Sequence, residues 1–175
     1  MPLQPGARKL VLTAHVTASV GWLGAVLAYL APAVAALSSD DARTVDGAWT
    51  AMERTGWYVI VPMAVASLVI GIVNALATPW GLFRHYWVLA KLVLTVVATA
   101  VLLLHMPSVS DFARQAAAAE APHIDGLAGE VLHAGGGLAV LLAATVLSIY
   151  KPRGRTPFGR DHNGPVGRRS DEVAR

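Results

Sequence analysis

The sequence predicts an all-α, polytopic membrane protein, built as an up-down-up-down bundle of four transmembrane helices with both termini in the cytoplasm. Of its 175 residues, 55% are hydrophobic and 14% are charged, an apolar excess too large for a soluble domain of this size. The apolar residues form four blocks, each long enough for a helix to cross a hydrocarbon core of roughly 30 Å. One membrane domain is predicted to span residues 1–150, with helices at about 10–37, 57–77, 82–106 and 130–150.

The first apolar block, residues 10–37, is predicted to be a membrane helix and not a signal peptide. The apolar region of a signal peptide runs about 7–15 residues, and this block is nearly twice as long. A polar segment follows at 38–56, in which apolar residues recur at helical spacing: Val45, Trp49 and Met52. This spacing predicts a short amphipathic helix lying on the membrane surface, with Trp49 at the interface.

The second and third helices are predicted to form a tight antiparallel hairpin. Pro62 falls in the first turns of the second helix, where a missing N–H is tolerated best. In the third helix Lys91 and His105 lie about 40° apart around the axis, so they share one face. Because an ionisable group is costly in hydrocarbon, we expect this face to point toward the other helices. His85 lies about 200° from His105 and is predicted to face lipid or the cytoplasmic interface.

Small residues predict where the helices approach each other, because close backbone contact and interhelical hydrogen bonds drive association in lipid. Helices one and two each carry a stripe of such residues: Thr17, Gly21, Ala25; Ser67, Gly71, Ala75. Helix one also has four larger side chains on one narrow face: His15, Ser19, Trp22 and Tyr29. The glycines at 135–137 in helix four are predicted either to pack tightly on a neighbouring backbone or to admit a flat ligand.

Charge sets the predicted orientation. The N-terminal tail, the 78–86 turn and the C-terminal tail hold ten of the 14 Lys and Arg residues (two, one and seven), so these segments are predicted to be cytoplasmic. The tail at 151–175 is basic and rich in Gly and Pro, without apolar periodicity. It is predicted to be disordered or to lie on the surface in contact with anionic lipids. No nucleic-acid partner is predicted.

His105 at the end of helix three and His133 near the start of helix four are predicted to lie at similar depth near the outer face. Two neutral imidazoles on facing helices are suited to ligate a haem iron, which makes haem b one candidate cofactor. Copper or zinc is another, with Glu130 and His123 as additional ligands. A third interpretation is that these histidines only pack and hydrogen-bond.

Two further residues are candidates for a cofactor site. His15 is a candidate inner ligand, and Lys91 is a candidate electrostatic partner that otherwise snorkels to headgroups. No catalytic residue is predicted. The chain has no cysteine, and it contains no phosphate-binding glycine loop, nucleophile elbow or HExxH zinc motif.

Several segments resemble a family of four-helix bacterial integral membrane proteins, a domain of unknown function with no assigned reaction: HVTASVGWLGAV, TPWGLFRHYWVLAKL, LLLHM, HAGGGLAVL and YKPRG. More distantly, a helix entered as Tyr-x3-Ala-Lys-Leu resembles the copper-resistance D-type membrane domain and the four-helix domains of b-type cytochromes. The resemblance implies the fold, and it offers four positions for a ligand: His15, His85, His105 and His133.

The expected function is therefore that of a small multi-pass protein of the bacterial plasma (inner) membrane that binds haem b or a transition metal near its outer face. Electron transfer or metal handling would follow, and a redox-active form would be a haem-dependent membrane oxidoreductase. It would work with an electron-transfer partner or within a larger membrane complex. The alternative is a non-catalytic structural or accessory membrane protein.

Overall fold

The computed structural model describes residues 4–77, 82–118, 125–152, 154 and 156. Four long helices account for most of these residues: α1 Pro5–Leu37, α2 Ala42–Leu76, α3 Tyr86–Ala118 and α4 Leu127–Tyr150. Each of the four is long and apolar enough to cross a membrane. The predicted class is confirmed to this extent: the described residues are all-helical in their main elements, with four helices that are long and apolar enough to span a membrane.

Helix α1 begins at Pro5, five residues before the predicted start. A proline at the first helical position has no N–H to leave unpaired, and its fixed φ angle favours the helix. With 33 residues, α1 is roughly 50 Å long, well beyond one hydrocarbon thickness. Helices α2 and α3 are of similar length, so one end of each must project out of the lipid.

Helix α2 corrects the prediction of a separate surface helix. Residues Ala42–Thr55 continue through a π-helical turn at Gly56–Ile60 into Val61–Leu76 without a break. Within that turn the N–H of Val61 bonds to the carbonyl of Gly56, five residues back. Pro62 follows at once, and the wider turn accommodates a residue that lacks the N–H an α-helix requires. The second membrane helix is therefore preceded by helix and not by a loop.

The bounds of helix α3 differ from the prediction at both ends. The bounds predicted for helices three and four leave residues 107–129 as a connection, but its first part, 107–118, continues α3 directly through Pro107 to Ala118. At its other end α3 begins at Tyr86, four residues later than predicted. His85 comes just before this start, half-buried, with its ring centroid 6.5 Å from that of Trp87.

The tightest packing lies at one end of the molecule, in a region that we call the cap: residues 33–37, 42–55 and 107–118 with Leu127. Among the described residues, every apolar side chain with 0% exposure except Ala64 belongs to the cap. Trp49 is one of them, and its ring stacks on Phe112 with centroids 5.0 Å apart. The predicted position of Trp49 at the lipid interface is therefore wrong, because α3 covers the apolar stripe of α2.

The small-residue stripes pack α1 against α2. The hydroxyl oxygens of Ser19 and Ser67 lie 2.8 Å apart. A Cβ on Gly71 would lie 2.9 Å from Cε1 of His15, so only a glycine leaves room for that imidazole. The glycines at 135–137 behave differently, because a Cβ on any of them would meet nothing within 4 Å. The prediction of tight backbone packing at these three positions is wrong.

Four residues after α4 are described, and the last of them, Thr156, lies against the segment before α3. Thr156 is buried; its N–H donates to the carbonyl of Arg84 at 3.0 Å, and its hydroxyl donates to the carbonyl of Phe83. The remainder of the predicted tail at 151–175 lies outside the described residues, and so does His123.

Candidate functional site

A buried carboxylate organises the end of the bundle next to the cap. Glu130 is only 2% exposed and lies in the first turn of α4. The hydroxyl of Tyr29 on α1 donates to its Oε2 at 2.6 Å, and Nε2 of His105 on α3 lies 2.8 Å from its Oε1. Both carboxylate oxygens are therefore paired, each with a different helix. This pairing offsets the cost of removing the carboxylate from water.

His133 extends this network by ring contact. It lies one helical turn after Glu130, and its ring stacks on that of His105 with centroids 3.8 Å apart and planes inclined by 16°. Among the described residues His133 accepts or donates no hydrogen bond, so its ring nitrogens stay available to a ligand. We call Tyr29, Glu130, His105 and His133 the proton cluster, since each side chain can gain or lose a proton.

The proton cluster borders an apolar cavity of about 400 Å³, the His105 cavity. Its walls are almost wholly apolar, and Tyr29, His105 and His133 are its titratable lining residues. Gly136 and Gly137 contribute bare backbone, which explains why a Cβ there would meet nothing. Lining residue Leu132 is 78% exposed on the outer surface. In a membrane the cavity would therefore open toward lipid.

The arrangement of these side chains bears on how a predicted cofactor could be held. Axial ligation of one haem iron by both histidines needs imidazoles on opposite faces of a flat macrocycle. The rings of His105 and His133 are instead in mutual van der Waals contact, and nothing fits between them. For copper or zinc, the described residues contain no group of three or more His, Cys, Asp or Glu side chains placed to hold a metal ion.

His15, the predicted inner ligand, and Lys91, the predicted electrostatic partner, both line a second cavity of about 420 Å³, the Lys91 cavity. The ammonium of Lys91 donates to the hydroxyl of Ser148 on α4. Lys91 and His105 both face α4, as their shared stripe predicts, but they are 14 residues apart, roughly 21 Å along the helix. Lys91 therefore does not act on the His105 cavity directly. His85 lines neither cavity.

The sequence did not reveal the role of Tyr29 as a partner of Glu130. Helical periodicity placed Tyr29 on the inward stripe of α1, but it gave no depth relative to α4. Glu130 was expected at the edge of a loop, whereas α4 starts three residues earlier, at Leu127, and buries it. A tyrosine on an inward stripe together with an acidic residue in the first turn of a membrane helix is the signal that could have suggested the pair.

Comparisons with protein-family models, with curated proteins and with solved structures give no match for this chain. The family resemblance remains a prediction, and the function must be argued from the site.

Proposed function

We propose that the His105 cavity binds a neutral, largely apolar, lipid-soluble ligand whose head exchanges hydrogen bonds or protons, the chemistry of a quinone. The observation that carries this proposal is the proton cluster at the wall of an apolar cavity that is open on the surface of the bundle. Pockets of this size with a few convergent polar groups are typical small-molecule sites.

The chemistry of the lining supports a neutral ligand. No Lys or Arg and no unpaired carboxylate lines the cavity among the described residues, so a charged ligand would lack a counter-charge. A carbonyl or hydroxyl head could bond to the free nitrogens of His133. Behind it, His105 and Glu130 form a hydrogen-bonded imidazole–carboxylate pair that can hold or release a proton.

Binding can be measured by titrating the detergent-purified protein with a short-chain ubiquinone and following tryptophan fluorescence, because Trp22 lines the cavity. We expect saturable quenching, weakened about tenfold in His133→Leu by the loss of one hydrogen bond in an apolar site. His85→Leu is the matched control and should bind like the wild type. Absence of saturable binding, or equal binding in His133→Leu, would refute the quinone proposal.

Haem b is the second candidate, favoured by one observation: the unbonded nitrogens of His133 lie beside the bare backbone of Gly136 and Gly137. Such a site would supply one axial ligand. The reduced, purified protein should then show a Soret band and a sharp α band that disappear in His133→Ala and persist in His85→Ala. Elemental analysis of the same sample addresses copper and zinc. If neither ligand binds, a structural or accessory role takes the place of both.

We further propose that the helices alternate in direction, with both termini on the cytoplasmic side of a bacterial plasma membrane. Two contacts within each of two helix pairs support the alternation. Along α1 and α2, His15 lies against Gly71 and Ser19 meets Ser67; along α3 and α4, Lys91 meets Ser148 and His105 meets Glu130. The distribution of Lys and Arg supports the orientation. The tail at 151–175 would contact anionic lipids, and a partner protein or larger membrane complex would supply electrons to a redox ligand.

The chain has no cysteine, so single cysteines can test the orientation. A membrane-impermeant maleimide added to intact cells should label Ser38→Cys, in the exposed turn beside the cap, and should not label Pro152→Cys. The reverse labelling pattern would contradict the proposed orientation.

A further inference from the structure

The Lys91 cavity carries an unusual concentration of positive charge. Its lining includes Arg8 and His15 from α1, Lys91 from α3, and Lys151 just after α4. Among the described residues that line it, none is acidic. The cations thus come from three different parts of the chain.

From this arrangement we infer that the Lys91 cavity binds a phosphate group, with Lys91 and His15 as its innermost contacts. The phosphate belongs either to the headgroup of an anionic lipid or to free phosphate. This site is separate from the His105 cavity, so the two proposals stand or fall independently.

Electrostatics favour an anion at this position. The ammonium of Lys91 is partly removed from water, and it repels both the ammonium of Lys151 and a protonated His15. The hydroxyl of Ser148 accepts a hydrogen bond from one of the three N–H groups of Lys91. The other two N–H groups have no acceptor among the described residues. The oxygens of a singly or doubly charged phosphate group would accept hydrogen bonds from these donors, and its charge would offset the repulsion between the cations.

His15 supplies the second independent observation. Its Nδ1 is buried and has no hydrogen-bond partner within the described part of the chain. The ring packs against Gly71, and a side chain at that position would collide with it. A buried nitrogen without a partner is costly unless a ligand completes it, and His15 lines the same cavity as Lys91.

The depth and the mixed lining suit a lipid headgroup. Lys91 is five residues beyond the start of α3, roughly 8 Å along its axis, and Trp87 lines the same cavity, as expected near the level of headgroups. Apolar lining residues such as Leu12 and Ile72 would contact the upper part of an acyl chain. Free phosphate would use the same cations without these apolar contacts.

The test uses the full-length, detergent-purified protein and three probes: phosphatidylglycerol, a diacylglycerol with the same acyl chains, and inorganic phosphate. Binding is read by native mass spectrometry and by the rise in thermal unfolding temperature. We expect Lys91→Met to weaken phosphatidylglycerol binding about fivefold. Lys9→Met is the control, because Lys9 is exposed and lies outside the cavity lining. Lys91→Arg keeps the charge and should retain binding.

The three probes separate the outcomes. Binding of phosphatidylglycerol but not diacylglycerol, with dependence on Lys91, supports the site with lipid as the source. Saturable, Lys91-dependent binding of inorganic phosphate that phosphatidylglycerol does not improve supports free phosphate. Equal binding of both lipids, with no effect of Lys91→Met, overturns the inference. If Lys91→Met does not fold, the salt dependence of the wild type tests the inference instead. Binding of phosphatidylglycerol or inorganic phosphate must weaken as the salt concentration rises, and binding of diacylglycerol must not.

Discussion

Removing the hydroxyl of Tyr29 tests whether the Glu130 network holds three helices together. Tyr29 is 5% exposed and donates to a carboxylate that is itself buried, so Tyr29→Phe leaves one oxygen of Glu130 without its partner. A hydrogen bond to a charged group contributes about 1.5–3 kcal/mol in proteins generally, whereas interhelical bonds in membranes contribute about 0.6–1.7. We therefore expect a loss of about 1–2 kcal/mol.

For a chain of this size a loss of that order lowers the unfolding temperature by roughly 2–8 °C. The assay is thermal unfolding of the purified protein in one detergent, followed by circular dichroism. Tyr58→Phe is the matched control, because Tyr58 is 78% exposed and makes no hydrogen bond through its hydroxyl among the described residues. An unfolding temperature for Tyr29→Phe equal to that of Tyr58→Phe would refute the role of the bond.

A double-mutant cycle with Glu130→Gln separates the bond from other effects of the substitution. If the hydroxyl acts through the carboxylate, Tyr29→Phe should cost less in the Glu130→Gln background than in the wild type. Strictly additive losses would show that the two side chains stabilise the protein independently.

Three further predictions concern the packing at Gly71 and at Trp49 and the helix cap at Asp41. Gly71→Ala should destabilise by about 1–3 kcal/mol, because its Cβ would meet the packed imidazole, whereas Gly24→Ala should be neutral in the same thermal assay. Trp49→Ala should cost about 3–5 kcal/mol by emptying the cap, and a smaller loss would contradict its full burial. The Thr44 hydroxyl and two backbone N–H groups hold the pKa of Asp41 below its ordinary 3.8. Its capping of α2 is therefore complete above that value and lost as the pH falls through the lowered pKa. Amide exchange in the first turn should then accelerate at low pH beyond the intrinsic rate, and Asp41→Asn should remove this dependence.

The four apolar blocks were predictable because crossing lipid requires about 20 consecutive apolar residues, a constraint read directly from composition. The shared face of Lys91 and His105 was predictable for a similar reason, since helical geometry fixes angles along one helix. The length of an apolar block and the angle between two residues on one helix are both properties of a single segment. Neither depends on which helix lies next to that segment.

The cap was not predictable from such local rules. The spacing of Val45, Trp49 and Met52 gave an apolar stripe, but two environments can cover a stripe, lipid or another helix. Pro62 and Pro107 suggested helix ends, whereas packing carries both helices through these positions. The hydrogen bond between Tyr29 and Glu130 was not predictable either, because helical periodicity does not say how deep a residue on one helix lies relative to a residue on another.

In the proposed membrane arrangement, the cap lies outside the acyl chains, so that water and not lipid surrounds the most tightly packed part of the molecule. Where the three longest helices extend past the acyl chains, apolar side chains are squeezed out of solvent as in any soluble protein. Extraction into detergent replaces the medium around the spanning segments but leaves the medium around the cap unchanged. Melting should therefore begin near Ser148, and the amides around Trp49 and Phe112 should be the last to take up deuterium. The region of this chain that is most resistant to unfolding would thus lie outside the membrane that the chain crosses.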